Sequence, residues 1–455
     1  MQQPQPNKSK FMNTKHHLNH VTLALIVGSL ALPLIAQAGQ HPRYKLIDLG
    51  TFGGPSSILQ NLQEIVNNRG TVIGVADTAV PDPFAPNCFG PSCYVQHAFQ
   101  WQGGVLTDLG TLPGGDSSWA SEISESGHIA GWAQNGLIDP LTGIPEIVAV
   151  VWQSGQIVNL GTFGGTQSIA VSINNKGQAT GMAANAIRDP FSMACIFGGV
   201  CFGTQTRAFL WDNGVMHDLG TLGGPDSFGQ YVNERGQVAG FSYTDSTPND
   251  TTGTPTVHPF LWENGRMLDL GSLGGTFGAV NRLNNRGDVV GDMNLPGDEF
   301  SHPFLWARGT LTDLGTLGGD TGSPTDVNER GEVCGVADLP NGLHNAFLWK
   351  SGVMTDLGNL GRTSFAYSLN SKGQVVGASR VSSVPNRVSA FLWEKGGPMI
   401  DLNTLVPANS SLHLGFAYYI NERGEIAGLG VPPGVAVDDV ETQGHVFVLI
   451  PVGEK

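Results

Sequence analysis

The chain has 455 residues, 23 basic against 38 acidic side chains and a formal net charge of −15, with 13% charged residues, 40% hydrophobic residues and 64 glycines. That hydrophobic share excludes a disordered chain, and abundant glycine with sparse charge suits turn-rich β structure with extensive burial. The acidic balance argues against a nucleic-acid partner, because such a surface repels phosphate backbones.

Residues 1–38 differ from all that follows. Lys8, Lys10 and Lys15 precede the apolar run VTLALIVGSLALPLIA, and Ala36 and Ala38 form an Ala-x-Ala step ahead of Gly39. This is the layout of a secretory signal peptide, with cleavage expected before Gly39; the alternative is a retained anchor, against which Pro33 and the shortness of the run both count. A complete signal also follows Met12, which leaves residues 1–11 as a possible upstream start. Removal of residues 1–38 leaves 20 basic and 38 acidic side chains, a net charge of −18. The mature chain, 39–455, is expected to be secreted, outside the cell or in the periplasm, with no further stretch able to span a bilayer.

The mature chain opens with an isolated strand, YKLIDLG at 44–50, and from there one pattern returns throughout. A DLG element recurs at Asp48, Asp108, Asn159, Asp218, Asp269, Asp313, Asp356 and Asp401. A turn element, Asn-x-x-Gly, recurs at Asn67, Asn174, Asn233, Asn284, Asn328, Asn370 and Asn421, with Ser124 substituting once. An AFLW-like element ends at Trp101, Trp152, Trp211, Trp262, Trp306, Trp349 and Trp393, and VFVL closes the series at Leu449. Asn-x-x-Gly suits a tight turn closed by a glycine at positive φ, and each unit therefore reads as four short strands, A to D, with no helical periodicity between them.

Four antiparallel strands at a period of forty-odd residues predict the blades of a β-propeller. The chain begins with a lone D strand and ends with a lone C strand, HVFVLI at 445–450, so seven whole blades and one shared blade give an all-β, eight-bladed ring. Its N-terminal strand should pair with the C-terminal blade. Residues 39–455 then form a single domain of eight repeats; a linear solenoid is the alternative, but it would want capping segments at both ends.

Two cysteine pairs, Cys88 with Cys93 and Cys195 with Cys201, each follow an Asp-Pro-Phe and sit among Gly and Pro, which predicts two local disulfides in an oxidising compartment. A four-cysteine zinc site is disfavoured by the distance between the pairs and by the absence of Cys-x-x-Cys spacing. Cys334 replaces a repeat valine or alanine and reads as a buried thiol. No metal or cofactor is expected.

The combination of AFLW, DLGTLGG and INxxGxVVG elements resembles the HAF-repeat family of extracellular repeat proteins, whose His-Ala-Phe stands here as His97-Ala98-Phe99. The resemblance covers nearly all of the mature chain, with HAFQW, AVVW and DLNTLVP as departures. It implies an exported repeat protein and carries over no catalytic residue.

In such a ring the A–B and C–D turns share one face and the B–C and D–A connections the other. All length variation sits in the B–C loops at 78–96, 135–147, 185–206 and 244–257, and elaborated loops on a rigid scaffold commonly bind. The D–A loops join that face with Gly-Gly pairs followed by Asp116, Asp226 or Asp320, where amides and carboxylates can hold a cation or sugar hydroxyls, or serve as bends alone. Glu122, Arg282 and Asp326 occupy one repeat position in the A strands, and Arg282 and Asp326, on neighbouring blades, are placed to pair. His97, His258, His302 and His445 precede the AF, PF or VF pair on four different blades and read as hydrogen-bonded repeat residues rather than metal ligands. Enzyme motifs are missing. The resulting expectation is a secreted, monomeric binding or interaction propeller with its ligand face on the D–A and B–C loops, taking an extracellular glycan or protein. The alternative is an extracellular polysaccharide lyase or hydrolase with its site at the channel mouth.

Overall fold

A computed structural model describes residues 43–59, 64–86, 88–196, 202–381 and 387–453. The expected signal peptide, 1–38, and Cys201 lie outside the described residues. Eight four-stranded antiparallel sheets form the eight blades of a propeller. In chain order, blades 1 to 7 span 53–108, 118–161, 164–218, 227–269, 278–313, 322–356 and 364–401. Blade 8 takes three strands from 413–452 and its fourth from Arg43–Asp48, which pairs antiparallel with His445–Val452 in the register Arg43↔Val452 to Asp48↔Phe447. The predicted closure of the ring is therefore present.

Each blade is built by the repeat. The C-strand phenylalanine is fully buried in seven blades (Phe99, Phe209, Phe260, Phe304, Phe347, Phe391, Phe447) and lies opposite a B-strand glycine, as in Gly240↔Phe260. A Cβ on Gly240 would stand 1.9 Å from the Phe228 carbonyl oxygen and 2.9 Å from the Phe260 ring; the ring occupies the space a side chain would take, so the glycine of QVAG is a packing requirement. B strands such as Val238–Tyr243 are buried at every position, whereas D strands such as Arg266–Asp269 are mostly exposed. The D strands are thus outermost, and the A strands face the axis.

The two polar elements of the repeat are structural. The DLG aspartate accepts the N–H of the residue two positions on in every blade, at 2.7–2.9 Å, with Asn159 doing the same in blade 2. Nδ1 of His97, His258, His302 and His445 bonds to the carboxylate of Asp108, Asp269, Asp313 and Asp48. The last of these pairs joins residues 397 apart and fastens the closing blade.

The turn asparagine does more than turn the chain. Asn233 Oδ1 accepts the N–H groups of Arg235 and Gln237, while Nδ2 donates to the carbonyl of Asn284 in the next blade at 3.0 Å. The same link passes from Asn67 to Ser124, from Asn174 through 233, 284, 328 and 370 to Asn421, and back to Asn67, at 2.9–3.3 Å. Only the step leaving Ser124 is missing among the described residues. A buried amide that satisfies two turn donors and a neighbouring carbonyl explains why the residue recurs.

Cys88 and Cys93 form the expected disulfide, with Cα atoms 5.4 Å apart. Cys195 is also disulfide-bonded. Cys334 is a buried free thiol, its pKa raised by burial. Among the described residues no helix is long and apolar enough to cross a membrane.

Candidate functional site

The A strand of blades 2 to 8 carries a register shift just before its last turn, as between Ala120 and Glu122, Val280 and Arg282, and Pro324 and Asp326. A bulge turns the next side chain away from the ladder. Here the residue that follows it, two before the turn asparagine, lines an axial cavity of ≈ 310 Å³: Glu122, Ser172, Tyr231, Arg282, Asp326 and Tyr419. The bulge also frees the N–H of the following residue, which the neighbouring blade satisfies. Glu122 accepts it from Ile173 at 2.7 Å, Ser172 from Val232 at 3.1 Å and Asp326 from Leu369 at 3.1 Å.

Arg282 is the hub of this cavity. Its Nε lies 3.3 Å from Asp326 Oδ1 on the next blade, and its guanidinium carbon 5.5 Å from the centre of the Tyr231 ring on the previous one. Its Nη2 reaches Glu64 Oε1 at 3.0 Å. Glu64 belongs to blade 1 and Arg282 to blade 5, opposite positions in a ring of eight, so this ion pair crosses the axis. Burial works against the charge on Arg282, but Asp326 and Glu64 hold it protonated well above its ordinary range. The open 38% of the Glu64 side chain faces the cavity, and enclosure there pushes its pKa up to about 7 against the opposing effect of Arg282. Glu122 is likewise raised by burial. The tyrosines Tyr231 and Tyr419 are raised by the same burial.

Outside this knot lies a rim formed by the second residue of the A–B turns. Glu125, Glu234, Glu329 and Glu422 each accept the backbone N–H of the preceding blade's turn: from Asn68, Asn175, Asn285 and Ser371. The next residue of the turn points elsewhere; Arg286, Arg330 and Arg423 pair with Asp288, Glu332 and Glu425 on their own blades. The cavity and its rim therefore present seven carboxylates, Glu64, Glu122, Glu125, Glu234, Asp326, Glu329 and Glu422, to one guanidinium. Hydrogen bonds fix them before any ligand arrives, and a concave mouth of one sign concentrates its field on an incoming cation. Among the described residues no three His, Cys, Asp or Glu side chains group closely enough to hold a metal ion.

Of the residues singled out in the sequence, Glu122, Arg282 and Asp326 come together here. Asp116, Asp226 and Asp320 do not: Asp116 and Asp320 are exposed on separate D–A loops, and Asp226 is fully buried. Asp226 Oδ2 and Oδ1 accept the N–H groups of Met193 and Thr206 at 2.6 and 2.9 Å, pinning the long B–C loop of blade 3 onto blade 4. Burial raises its pKa to about 7. Glu64, Tyr231 and Tyr419 escaped the sequence reading. The signal available was a repeat column, two before the asparagine, that changes from copy to copy while its neighbours do not; Glu64 lies one residue off that column in the irregular first copy.

No family model matches the sequence, and no curated protein does. Solved structures with a partial likeness include dipeptidyl peptidase 4 of Porphyromonas gingivalis, 11% identical over 81% of this chain and 57% of that one, TM-score 0.47. A puromycin-hydrolysing peptidase of Mycobacterium tuberculosis is 14% identical over 91% of this chain and 63% of its own, TM-score 0.45. The β-propeller domain of the Trilobed protease from Pyrococcus furiosus is 10% identical over 79% of this chain and 95% of its own, TM-score 0.41. This chain thus spans less than two thirds of the two whole peptidases, and at such identities the likeness is one of fold. These structures are of peptidases or of a protease's propeller domain, where the sequence reading expected a binding propeller or a polysaccharide lyase or hydrolase, and neither expectation is retained. The geometry corrects the expected face as well: the converging groups lie at the A–B turn end of the channel, not on the D–A and B–C loops.

Proposed function

We propose that this chain is a peptide-handling propeller, whose axial mouth takes up the cationic end of an extended peptide: an α-ammonium, a lysine or an arginine. The observation that carries this reading is the ring of seven fixed carboxylates around one guanidinium. An ammonium entering the rim meets acceptors already oriented by backbone N–H bonds, and beneath them the Glu64–Arg282 pair can exchange one cation partner for another.

The test is calorimetric titration of the full chain with matched peptides bearing a free or acetylated N-terminus, and with Lys, Arg, Gln or Glu near that end. Cationic peptides should bind at least about tenfold more tightly than capped or acidic ones, with affinity falling as salt rises and in Glu125→Gln/Glu329→Gln. Equal binding of capped and free peptides, or indifference to the rim substitutions, would overturn the reading. We also propose the secreted setting and the HAF-repeat membership: the Cys88–Cys93 disulfide is in keeping with an oxidising compartment, and a mature N-terminus at Gly39, found by mass spectrometry, is the expected result. A monomer in solution completes the proposal.

A further inference from the structure

A second cavity, of ≈ 340 Å³, lies between blades 4 and 5, and its lining differs in kind from the rest of this acidic molecule. Four arginines, Arg235, Arg266, Arg286 and Arg308, surround it with one carboxylate, Glu263. Trp306 with Leu261 and Leu268 supplies an apolar wall. Arg286 is held by Asp288, its Nε 2.9 Å from Oδ2. Arg235, Arg266 and Arg308 are all exposed, and Arg266 stands opposite Glu263 in the ladder of its own blade. Arg235 crosses the blade boundary: its Nη2 lies 2.7 Å from where a Cβ on Gly287 would stand.

The repeat shows which of these arginines the scaffold does not need. The first residue of the D strand is Val105, Gln156, Val215, Thr310 or Val353 in blades 1, 2, 3, 5 and 6 and Arg266 in blade 4; the strand that completes blade 8 also opens on an arginine, Arg43. The first left-handed residue of the C–D turn is Gly103, Ser154, Asn213, Asn264 or Ser351 elsewhere and Arg308 in blade 5, at φ 52°. Glycine and asparagine suit that conformation; a long arginine side chain is a costly choice there. Two departures from the repeat, on different blades, converge on one groove, and one of them sits where the backbone disfavours it.

We propose that this interblade groove is a binding site for an oxyanion ester on a planar ring, an aryl sulfate or phosphate. The guanidinium forks of Arg266 and Arg308 match the oxygens of such a group in paired hydrogen bonds, and the ring rests on Trp306 and the leucines. The site is separate from the axial mouth and makes no use of its carboxylates.

Calorimetric titration of the full chain with p-nitrophenyl sulfate, p-nitrophenyl phosphate and p-nitrophenol, at a pH low enough to keep the phenol un-ionised, tests this. The two esters should bind and p-nitrophenol should not; the ratio of sulfate to phosphate affinity identifies which oxyanion the site takes. Arg266→Val/Arg308→Asn installs residues that other blades carry at these positions, so the fold is preserved. It should weaken ester binding by about tenfold or more, the loss expected for charge-assisted bonds. Arg362→Gln/Arg387→Gln, with the same net charge change far from the groove, should leave binding unchanged. Ester binding that survives the first double substitution, that falls equally in the second, that is matched by p-nitrophenol, or that is absent from the native chain would overturn the proposal. Glu125→Gln/Glu329→Gln should not weaken it, which separates failure here from failure of the axial reading.

Discussion

Replacing Asn233 by Ser imposes on blade 4 what blade 2 already carries at Ser124. The serine hydroxyl can accept one turn N–H, as Ser124 Oγ does from His128 at 3.1 Å, but it cannot also reach the next blade. The bonds lost are the 3.0 Å link to the Asn284 carbonyl, the 2.7 Å bond from Nδ2 to Gln237 Oε1 and one of the two turn bonds to Oδ1. Asn284 O keeps the N–H of Gly287 at 3.1 Å, and each of the three lost bonds counts at its net value of about 1 kcal/mol. Asn233→Ser should therefore cost about 2–3 kcal/mol. The reverse change, Ser124→Asn, should supply the missing step of the ring and stabilise by about 0.5–1 kcal/mol. Guanidinium unfolding midpoints followed by tryptophan fluorescence measure both. If Asn233→Ser unfolds with the native chain, or Ser124→Asn falls below it, the asparagines are turn formers only and the interblade ring is not a source of stability.

Four other outcomes follow from the charges. Arg282→Met leaves Glu64, Glu122 and Asp326 without their cation; the loss should be about 3–5 kcal/mol at pH 8 and shrink towards pH 5 as the carboxyls take up protons, read as melting temperature against pH. In the native chain Glu64 has a folded pKa raised from 4.5 to about 7, so its contribution to stability is present below the lower value and lost as pH rises through the upper one; Glu64→Gln should flatten that slope. The Asp108 hydrogen bond raises the pKa of His97 despite opposing burial, and Asp108 is lowered by its bonds from His97 and Gly110 although burial works the other way. The pair then stabilises most between the two ordinary values, losing its effect as pH rises through the His97 pKa or falls through that of Asp108, and the melting-temperature gap to His97→Gln should close at both ends. Asp226→Asn places an amide donor where a carboxylate oxygen met an N–H, should cost about 1–3 kcal/mol, and should expose the B–C loop of blade 3 to limited proteolysis, located by mass spectrometry.

The architecture was legible because each blade repeats the same solution: the buried AFLW strand, the glycine turns and the orphan strands at 44–50 and 445–450 each have a local physical cause. The partners of Asn233 and its equivalents were not, because Nδ2 bonds a backbone carbonyl one blade away, and a carbonyl has no letter in the sequence. The axial cluster was half visible. Glu122, Arg282 and Asp326 stood out as charges in one column, but alternation along a strand cannot say which side faces the channel once a bulge resets its parity before that column. Glu64 could be recognised only when blades 1 and 5 faced each other. The D–A aspartates misled because equivalence in the repeat does not bring residues together; Asp226 faces a loop, Asp116 and Asp320 face solvent.

Seven blades are made from hairpins between consecutive strands, whereas the eighth waits for a strand nearly four hundred residues earlier in the chain. The entropic burden of ring formation is thereby concentrated in one late event. A chain shortened by residues 445–452 would retain strand 43–48 with an open hydrogen-bonding edge at one end and a two-stranded remnant at the other. Each such chain leaves two open hydrogen-bonding edges, at 43–48 and at 426–431, so the foreseeable product of truncation is edge-to-edge association rather than a smaller wheel.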